Sequence, residues 1–472
     1  MGIVIAGERS GAGKTTVTLA LLAALGRRYR CVQAFKVGPD YIDPMFHRAV
    51  TGRAAHNLDP VLTSEAYVRR CYYARCRDAE VAVVEGVMGL FDGAGGTDWG
   101  STAHIARILE LPIVLVVDCA SLSRSLAAIV HGYATFDPRL RIAGVVLNRV
   151  GSDRHLTMLK AALDPLKIPI VGVLRREDAI ALPDRHLGLV PAEELPHLAQ
   201  TLDQFAELGQ RCFHWPLLDA WVQAQPASQP EDAALPGSPQ GAVRIGIARD
   251  RAFNFYYPDN LDTLECLGVE WVPFSPLSDG ALPAVLDGLY LGGGFPELFA
   301  ESLAENVPLR TYLHRAIQHG LPTYAECGGL MYLCQTLVDF DGNPWPMVGA
   351  LPAIATMTRR LSLGYRQATA RRSTPLLTPG QTLWGHEFHR STLDSAPPTP
   401  LYQYQLYPTA ADVPEPRPPQ PEGWGHNTLQ ASYLHLHWGD RPDLAQRFLQ
   451  TCQHYQRDRT AEGDSASQNQ YR

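Results

Sequence analysis

The sequence predicts two successive α/β domains, each on a largely parallel sheet with its ligand-binding loops at the carboxyl ends of the strands. Three features of the 472 residues carry this reading. Apolar runs of strand length alternate with helical segments up to about residue 190. A glycine-rich turn ending in Gly13-Lys14-Thr15 joins the first run to the first helix. A second series of runs, from Val243 onward, carries Gly292-Gly293-Gly294 and Glu326-Cys327-Gly328-Gly329.

Residues 2–6 read as a buried strand and 17–25 as a helix. Between them, Gly7-Glu8-Arg9-Ser10-Gly11-Ala12-Gly13-Lys14-Thr15-Thr16 forms a turn whose backbone N–H groups, from Gly11 and Gly13 through Thr16, converge on phosphate oxygens at a helix N-terminus. Lys14 then counters the terminal phosphates and the Thr15 hydroxyl is a Mg²⁺ ligand, so ATP and Mg²⁺ are the expected ligands. A chance Gly-Lys-Thr in an ordinary turn would not explain strand, loop and helix in that order.

Further runs at 31–37, 81–84, 113–117, 142–147 and 168–174 predict a doubly wound parallel sheet. Lys36 stands at the end of the second run, placed to hold a substrate carboxylate or phosphate, with Asp40 and Asp43 behind it to bind Mg²⁺ or orient the acceptor; a solvated turn is the plain alternative. Glu85 closes the third run, where a second Mg²⁺ ligand belongs beside such a loop, and Asp92 is a further carboxylate in the same stretch. Asp118 either joins the metal shell or caps a turn. Asn148 ends the run before residue 149, where an Asx turn is one reading.

A net charge of −7 without a basic cluster argues against nucleic acid as a partner. No apolar run reaches membrane-span length and a strand begins within two residues of the start, which predicts no signal peptide, no membrane and a cytoplasmic location. Nine cysteines, an odd number without a CxxC pair, read as reduced packing residues, with one exception.

The pattern weakens from 191 to 241, and 224–241 is rich in Ala, Pro, Gln and Ser. The expected division is therefore 1–195, a linker over 196–241, a second domain over 242–450 and a polar, disordered tail over 451–472. In the second domain the run 286–291 leads into Gly292-Gly293-Gly294, which permits close backbone approach and suits an oxyanion hole through Gly293 and Gly294. Cys327 is the exception among the cysteines. A short strand, a nucleophile-type residue, two glycines and a helix describe a nucleophile elbow, with the Gly328 N–H completing the oxyanion site and the helix N-terminus lowering the thiol pKa. Late in the chain, alternation in Tyr433-Leu434-His435-Leu436-His437 places both histidines on one strand face, either able to serve Cys327 as base.

These motifs resemble known families. The phosphate loop has Glu8 where the standard pattern has glycine, with Gly7 one step earlier, an offset similar to that of dethiobiotin synthetase and its amidoligase relatives among the deviant P-loop ATPases. In that group an asparagine placed like Asn148 reads the adenine edge. The glycine-rich strand, cysteine elbow and late histidine resemble the class I triad glutamine amidotransferases, which implies a flavodoxin-like α/β fold. Their histidine is followed two residues on by glutamate, whereas this chain has His437. That departure and Tyr433-Leu434-His435 resemble the cobyrinate and cobyrate synthase branch, which carries the base onto His435 and leaves His437 open as its orienter. The order of the two domains, the stretches Lys36 to Pro44 and Glu85 to Gly93, Phe255-Tyr256-Tyr257 and Trp384-Gly385-His386-Glu387-Phe388-His389 together resemble the cobyrinate a,c-diamide synthase family over about residues 1–450.

The resemblance implies a Mg·ATP-dependent ligase that draws ammonia from L-glutamine and amidates the a and c acetates of a corrinoid acid through acyl phosphates. Ammonia near neutral pH is mostly protonated, so contact between the domains is expected. Hydrogenobyrinate, a nickel sirohydrochlorin or cobyrinate diamide remain alternative acceptors, and a homodimer stays open. A partner-regulated switch ATPase is the alternative of another class; Arg9 stands where such switches carry their signature lysine. Arg359 to Arg366 and His386 to Arg390 either line the acidic substrate's path or form surface salt bridges.

Overall fold

The computed structural model describes residues 2–178, 180, 182–185, 188–222, 242–406 and 419–469, and the chain divides into two compact units, Met1–Asp232 and Ala233–Arg472. The first unit is built on strands β1 (Ile3–Gly7), β2 (Val32–Val37), β3 (His56–Leu58), β4 (Val81–Glu85), β5 (Ile113–Asp118), β6 (Ile142–Val150) and β7 (Ile170–Arg175). They lie in the order β3-β2-β4-β1-β5-β6-β7, every pair parallel. Runs such as Val81-Ala82-Val83-Val84 are buried throughout because helices cover both faces of a parallel sheet. The chain crosses from β1 over β4 to β2, so β1, between β4 and β5, sits at the switch in strand order where ligands bind. β3, three residues on the sheet edge, was too short to leave a periodic signal in the sequence.

Helix α1 (Lys14–Gly26) is buried from Val17 to Leu25, with helix Leu198–Cys212 packed along it. A Cβ on Gly209 would lie 2.1 Å from the Ala20 carbonyl oxygen, so glycine is what lets the two backbones approach. This corrects the linker expected over 196–241. Its first part is two helices, Leu198–Cys212 and Trp215–Val222, with Phe205, Leu208, Leu218 and Val222 buried; the expected stretch 224–241 lies outside the described residues.

The second unit carries a sheet in the order Val269–Phe274, Val243–Ala248, Gly288–Leu291, Thr323–Glu326, Leu429–Ser432, Trp424–His426; its pairs are parallel except the last. A further sheet, not foreseen from the sequence, is built on the 20-residue strand Leu351–Ala370, antiparallel to Thr382–Leu393. The tail expected to be disordered from 451 is helical to Asn469 within the helix Pro442–Asn469. Cys452 is fully buried, and the buried Asp287 carboxylate accepts from Gln456 at 2.9 Å and Arg459 at 2.8 Å. Among the described residues no helix is long and apolar enough to cross a membrane.

Candidate active sites

In the first unit the carboxyl ends of β1, β2 and β4 bring one polar cluster together. The glycines of the loop are needed as such: Gly11 and Gly13 have φ of 76° and 93°, and a Cβ on Gly13 would lie 2.1 Å from Asn148 Nδ2. Asn148 donates to the Ala12 carbonyl at 2.9 Å and its Oδ1 accepts from the Arg149 N–H at 2.9 Å, so this side chain braces the loop from β6. Lys14 Nζ donates to the carbonyls of Met88 and Arg9.

Thr15 Oγ1 donates to Glu85 Oε1 at 2.9 Å and lies 3.4 Å from Asp43 Oδ2. Lys36 Nζ lies 2.5 Å from Asp43 Oδ2, 3.2 Å from Glu85 Oε1 and 3.7 Å from Asp40 Oδ2. Burial alone would raise Glu85, but Lys36, His47 and Thr15 outweigh it and hold the carboxyl well below its ordinary range. Lys36 is likewise raised against its burial by Asp43 and Glu85, whereas burial and the Glu85 charge push Asp43 up. Burial and the Lys36 charge lower Lys14. His47, unforeseen in the sequence, meets Glu85 Oε2 at 2.7 Å; its signal was the i,i+4 spacing from Asp43 on the helix Ile42–Thr51.

Other carboxylates of this unit do different work. Asp40 Oδ1 accepts from the N–H groups of Ile42 and Asp43, capping that helix, and Asp92 accepts from Gly89 N at 2.9 Å. Asp118 pairs with Arg9 at 3.0 Å and Arg149 at 2.6 Å. Asp118 N–H also donates to Glu8 at 3.2 Å, so the residue in the glycine's place braces β5.

In the second unit, strands Thr323–Glu326 and Leu429–Ser432 run side by side, Glu326 opposite Ser432, and end together. One strand delivers Cys327 and its neighbour delivers His435. Cys327 has φ 46° and ψ −99°, a strained conformation costing about 1–3 kcal/mol, fixed by its N–H donating to Ser432 O at 2.8 Å. Gly293 and Gly294 pair antiparallel with Phe253–Phe255. A Cβ on Gly293 would lie 2.6 Å from His435 Cε1, and one on Gly328 would lie 3.0 Å from the Gly294 nitrogen. Elbow, histidine and glycine strand thus converge.

Two expectations about the chemistry change here. The thiol is raised: burial and the Glu297 charge outweigh the Gly328 N–H, and the helix Gly328–Leu333 has only six residues to supply a dipole. The strand ends at Ser432, so His435 and His437 share no strand face. His435 makes a backbone bridge with His386, and Glu326 Oε2 lies 3.6 Å from its Nδ1; His437 Nε2 lies 3.6 Å from Asp259 Oδ2.

The tyrosine of Tyr-x-His also acquires a place. Tyr433 stacks on His389 at 3.8 Å and shares a 2.8 Å hydrogen bond with Ser391, while Glu387 joins Arg366 at 2.7 Å and faces His389 at 3.5 Å. Cys327 Sγ approaches the Phe388 carbonyl at 3.8 Å, so the Trp384 to His389 stretch closes over the elbow.

The family described as CobQ/CobB/MinD/ParA nucleotide binding domain matches residues 3–190, and that described as CobB/CobQ-like glutamine amidotransferase domain matches 244–443. A cobyrinate a,c-diamide synthase of Synechococcus sp. (strain ATCC 27144 / PCC 6301 / SAUG 1402/1) is 57% identical, covering 96% of this chain and 98% of its own length. The chain belongs to the a,c-diamide synthase family. A second cobyrinate a,c-diamide synthase, of Synechocystis sp. (strain ATCC 27184 / PCC 6803 / Kazusa), is 52% identical over 97% of this chain and 94% of its own. A hydrogenobyrinate a,c-diamide synthase of Streptomyces coelicolor is 40% identical over 95% and 97%.

Within the a,c-diamide synthase family this chain is an ATP-dependent carbon–nitrogen ligase that draws its nitrogen from glutamine, and the switch-ATPase alternative falls away. The first unit brings together Lys14, Thr15, Lys36, Asp43 and Glu85, with Asn148 behind the loop. The second brings together Cys327, His435, Gly293, Gly294 and Gly328, and sets His437 apart on Asp259.

Proposed function

We propose that the chain amidates the a and c acetate carboxylates of cobyrinic acid in cobalamin biosynthesis, in two rounds, each through an acyl phosphate. The observation that carries this reading is the convergence of Thr15, Asp43, Glu85 and Lys36 beside the phosphate loop. A substrate carboxylate oxygen attacks the γ-phosphorus of ATP, and ADP leaves. Lys14 offsets the charge on the transferring phosphoryl group, and Lys36 draws the acidic acceptor toward it. Thr15, Asp43 and Glu85 form an oxygen-only donor set that would hold Mg²⁺, whose charge would offset that of the phosphates. Ammonia then attacks the acyl carbon and phosphate departs.

Ammonia arises in the second unit. Cys327 Sγ attacks the glutamine amide carbon, its proton passes through His435 to the leaving nitrogen, and water hydrolyses the thioester to glutamate. The N–H groups around Gly293, Gly294 and Gly328 face the developing oxyanion. A thiol held neutral by burial gives up its proton only as it attacks, which limits thioester chemistry without glutamine.

Cobyrinate is preferred over hydrogenobyrinate because relatives named for the cobalt substrate reach 57%, 52% and 48% identity, against 44% and 40% for those named for the metal-free one. Mass spectrometry of each acid incubated with the protein, Mg·ATP and amide-¹⁵N glutamine tests this. Two labelled amides, formed faster on cobyrinic acid, are expected; labelling of hydrogenobyrinic acid alone would reverse the acceptor, and labelling of neither would refute the proposal.

A further inference from the structure

The triad amidotransferase pattern expects a carboxylate two residues beyond the histidine, and His437 stands there. His437 is engaged elsewhere, 3.6 Å from Asp259 and against the Tyr257 ring at 4.8 Å. The carboxylate beside His435 comes from the neighbouring strand, as Glu326 Oε2 lies 3.6 Å from His435 Nδ1. Glu326 immediately precedes Cys327 and faces Ser432 in register, so two strands ending together deliver nucleophile, carboxylate and imidazole to one place.

Both partners are 1% exposed. Glu326 Oε1 accepts from Tyr324 OH and, at 3.0 Å, from the Leu436 N–H next to His435, while Tyr290 OH lies 3.4 Å from Oε2. These donors fix the orientation of the carboxylate. The Cε1–Nε2 edge of the ring faces the Gly293 backbone. His386, bridged to His435 from the strand Thr382–Leu393, is pushed down to about 3 by burial and by His435, so it is neutral and adds no competing charge. Glu297 and Glu387 act on Cys327, and Glu387 is itself paired with Arg366.

We propose that Glu326 is the positioning residue of the glutaminase: it accepts from His435 Nδ1–H, leaves Nε2 to take the Cys327 proton, and stabilises the imidazolium while the thioester forms. The proton moves from Sγ to Nε2 and on to the leaving amide nitrogen, and Glu326 stays ionised throughout. The inference rests on Cys327 and His435 being nucleophile and base.

The test compares Glu326→Gln, Glu326→Asp, Asp259→Asn and Cys327→Ser in the full chain, for glutaminase activity and for amidation driven by ammonium. Glu326→Gln is expected to lower glutaminase kcat by about 10²-fold or more with KM nearly unchanged, because the imidazole loses its tautomeric lock. It should also move the acidic limb of the kcat/KM profile to lower pH, since the imidazolium loses its counter-charge. Glu326→Asp should recover part of the loss, and ammonium-driven amidation should match wild type in both variants. Asp259→Asn should leave glutaminase activity within about threefold, an effect below 1 kcal/mol. Wild-type glutaminase in Glu326→Gln, loss of both reactions together, or an equal loss in Asp259→Asn would each overturn the proposal. Cys327→Ser separates the premise: glutaminase activity persisting there would refute the nucleophile assignment instead.

Discussion

At the ends of β1, β2 and β4, charged side chains hold one another. Lys36 sits among Asp43, Glu85 and Asp40, and Glu85 is shared with Thr15 and His47. Around Cys327 the backbone does the holding, through a strained φ of 46°, a glycine strand with no room for a methyl beside His435, and two strands ending in register. The first arrangement suits a site that gathers polyanions, since its members form a balanced set that tolerates burial only while complete. The second suits acyl transfer, in which donors must already point at an oxyanion that forms only transiently. The two sites should therefore fail differently, one when a charge is deleted and the other when a methyl is added.

The largest effect is expected from Cys327→Ser, which should cut glutamine-driven amidation by about 10³-fold or more while amidation with ammonium stays within about threefold. Coupled assays with each nitrogen source check this, and loss of both activities would break the separation of the sites. Lys36→Met leaves Asp43 and Glu85 facing each other without their shared cation, so thermal unfolding should register a loss of about 3–5 kcal/mol in the first unit. Both nitrogen sources should fail in that variant, whereas glutaminase turnover should survive.

Gly293→Ala sharpens the other side. A methyl 2.6 Å from His435 Cε1 must displace the ring, and glutaminase kcat should fall about 10²-fold with ammonium-driven amidation intact. The smallest effect concerns pH. His386 is depressed from 6.5 to about 3, so below pH 6.5 the unfolded chain takes up a proton that the folded chain refuses, and stability is lost as pH falls. His386→Gln should remove about 1 kcal/mol of that loss at pH 5.5, read as a smaller drop in Tm between pH 7.5 and 5.5 than in wild type.

What the sequence made legible follows the same division. Gly13-Lys14-Thr15 and Glu326-Cys327-Gly328 could be read because their chemistry depends on the backbone of consecutive residues. Alternating apolar runs likewise gave the parallel sheet of the first unit. His47 and Glu326 could not be read as partners of Glu85 and His435, since their roles arise only when strands and helices distant in the chain are brought side by side. The direction of the Cys327 shift was missed because burial, which no motif encodes, outweighs a helix of six residues. The long strand Leu351–Ala370 escaped because its alternation breaks between Met357 and Ser362, where Arg359, Arg360 and Leu361 bulge outward.

In the proposed reaction one unit activates a carboxylate as acyl phosphate and the other supplies its nitrogen. Cobyrinic acid labelled with ¹⁸O in its carboxylates, turned over with Mg·ATP and amide-¹⁵N glutamine, tests both halves in one mass-spectrometric measurement. One ¹⁸O in inorganic phosphate and one ¹⁵N in product are expected for every amide formed; amides formed with unlabelled phosphate, or with nitrogen from solution in place of glutamine, would rule out the acyl phosphate or the glutamine source respectively.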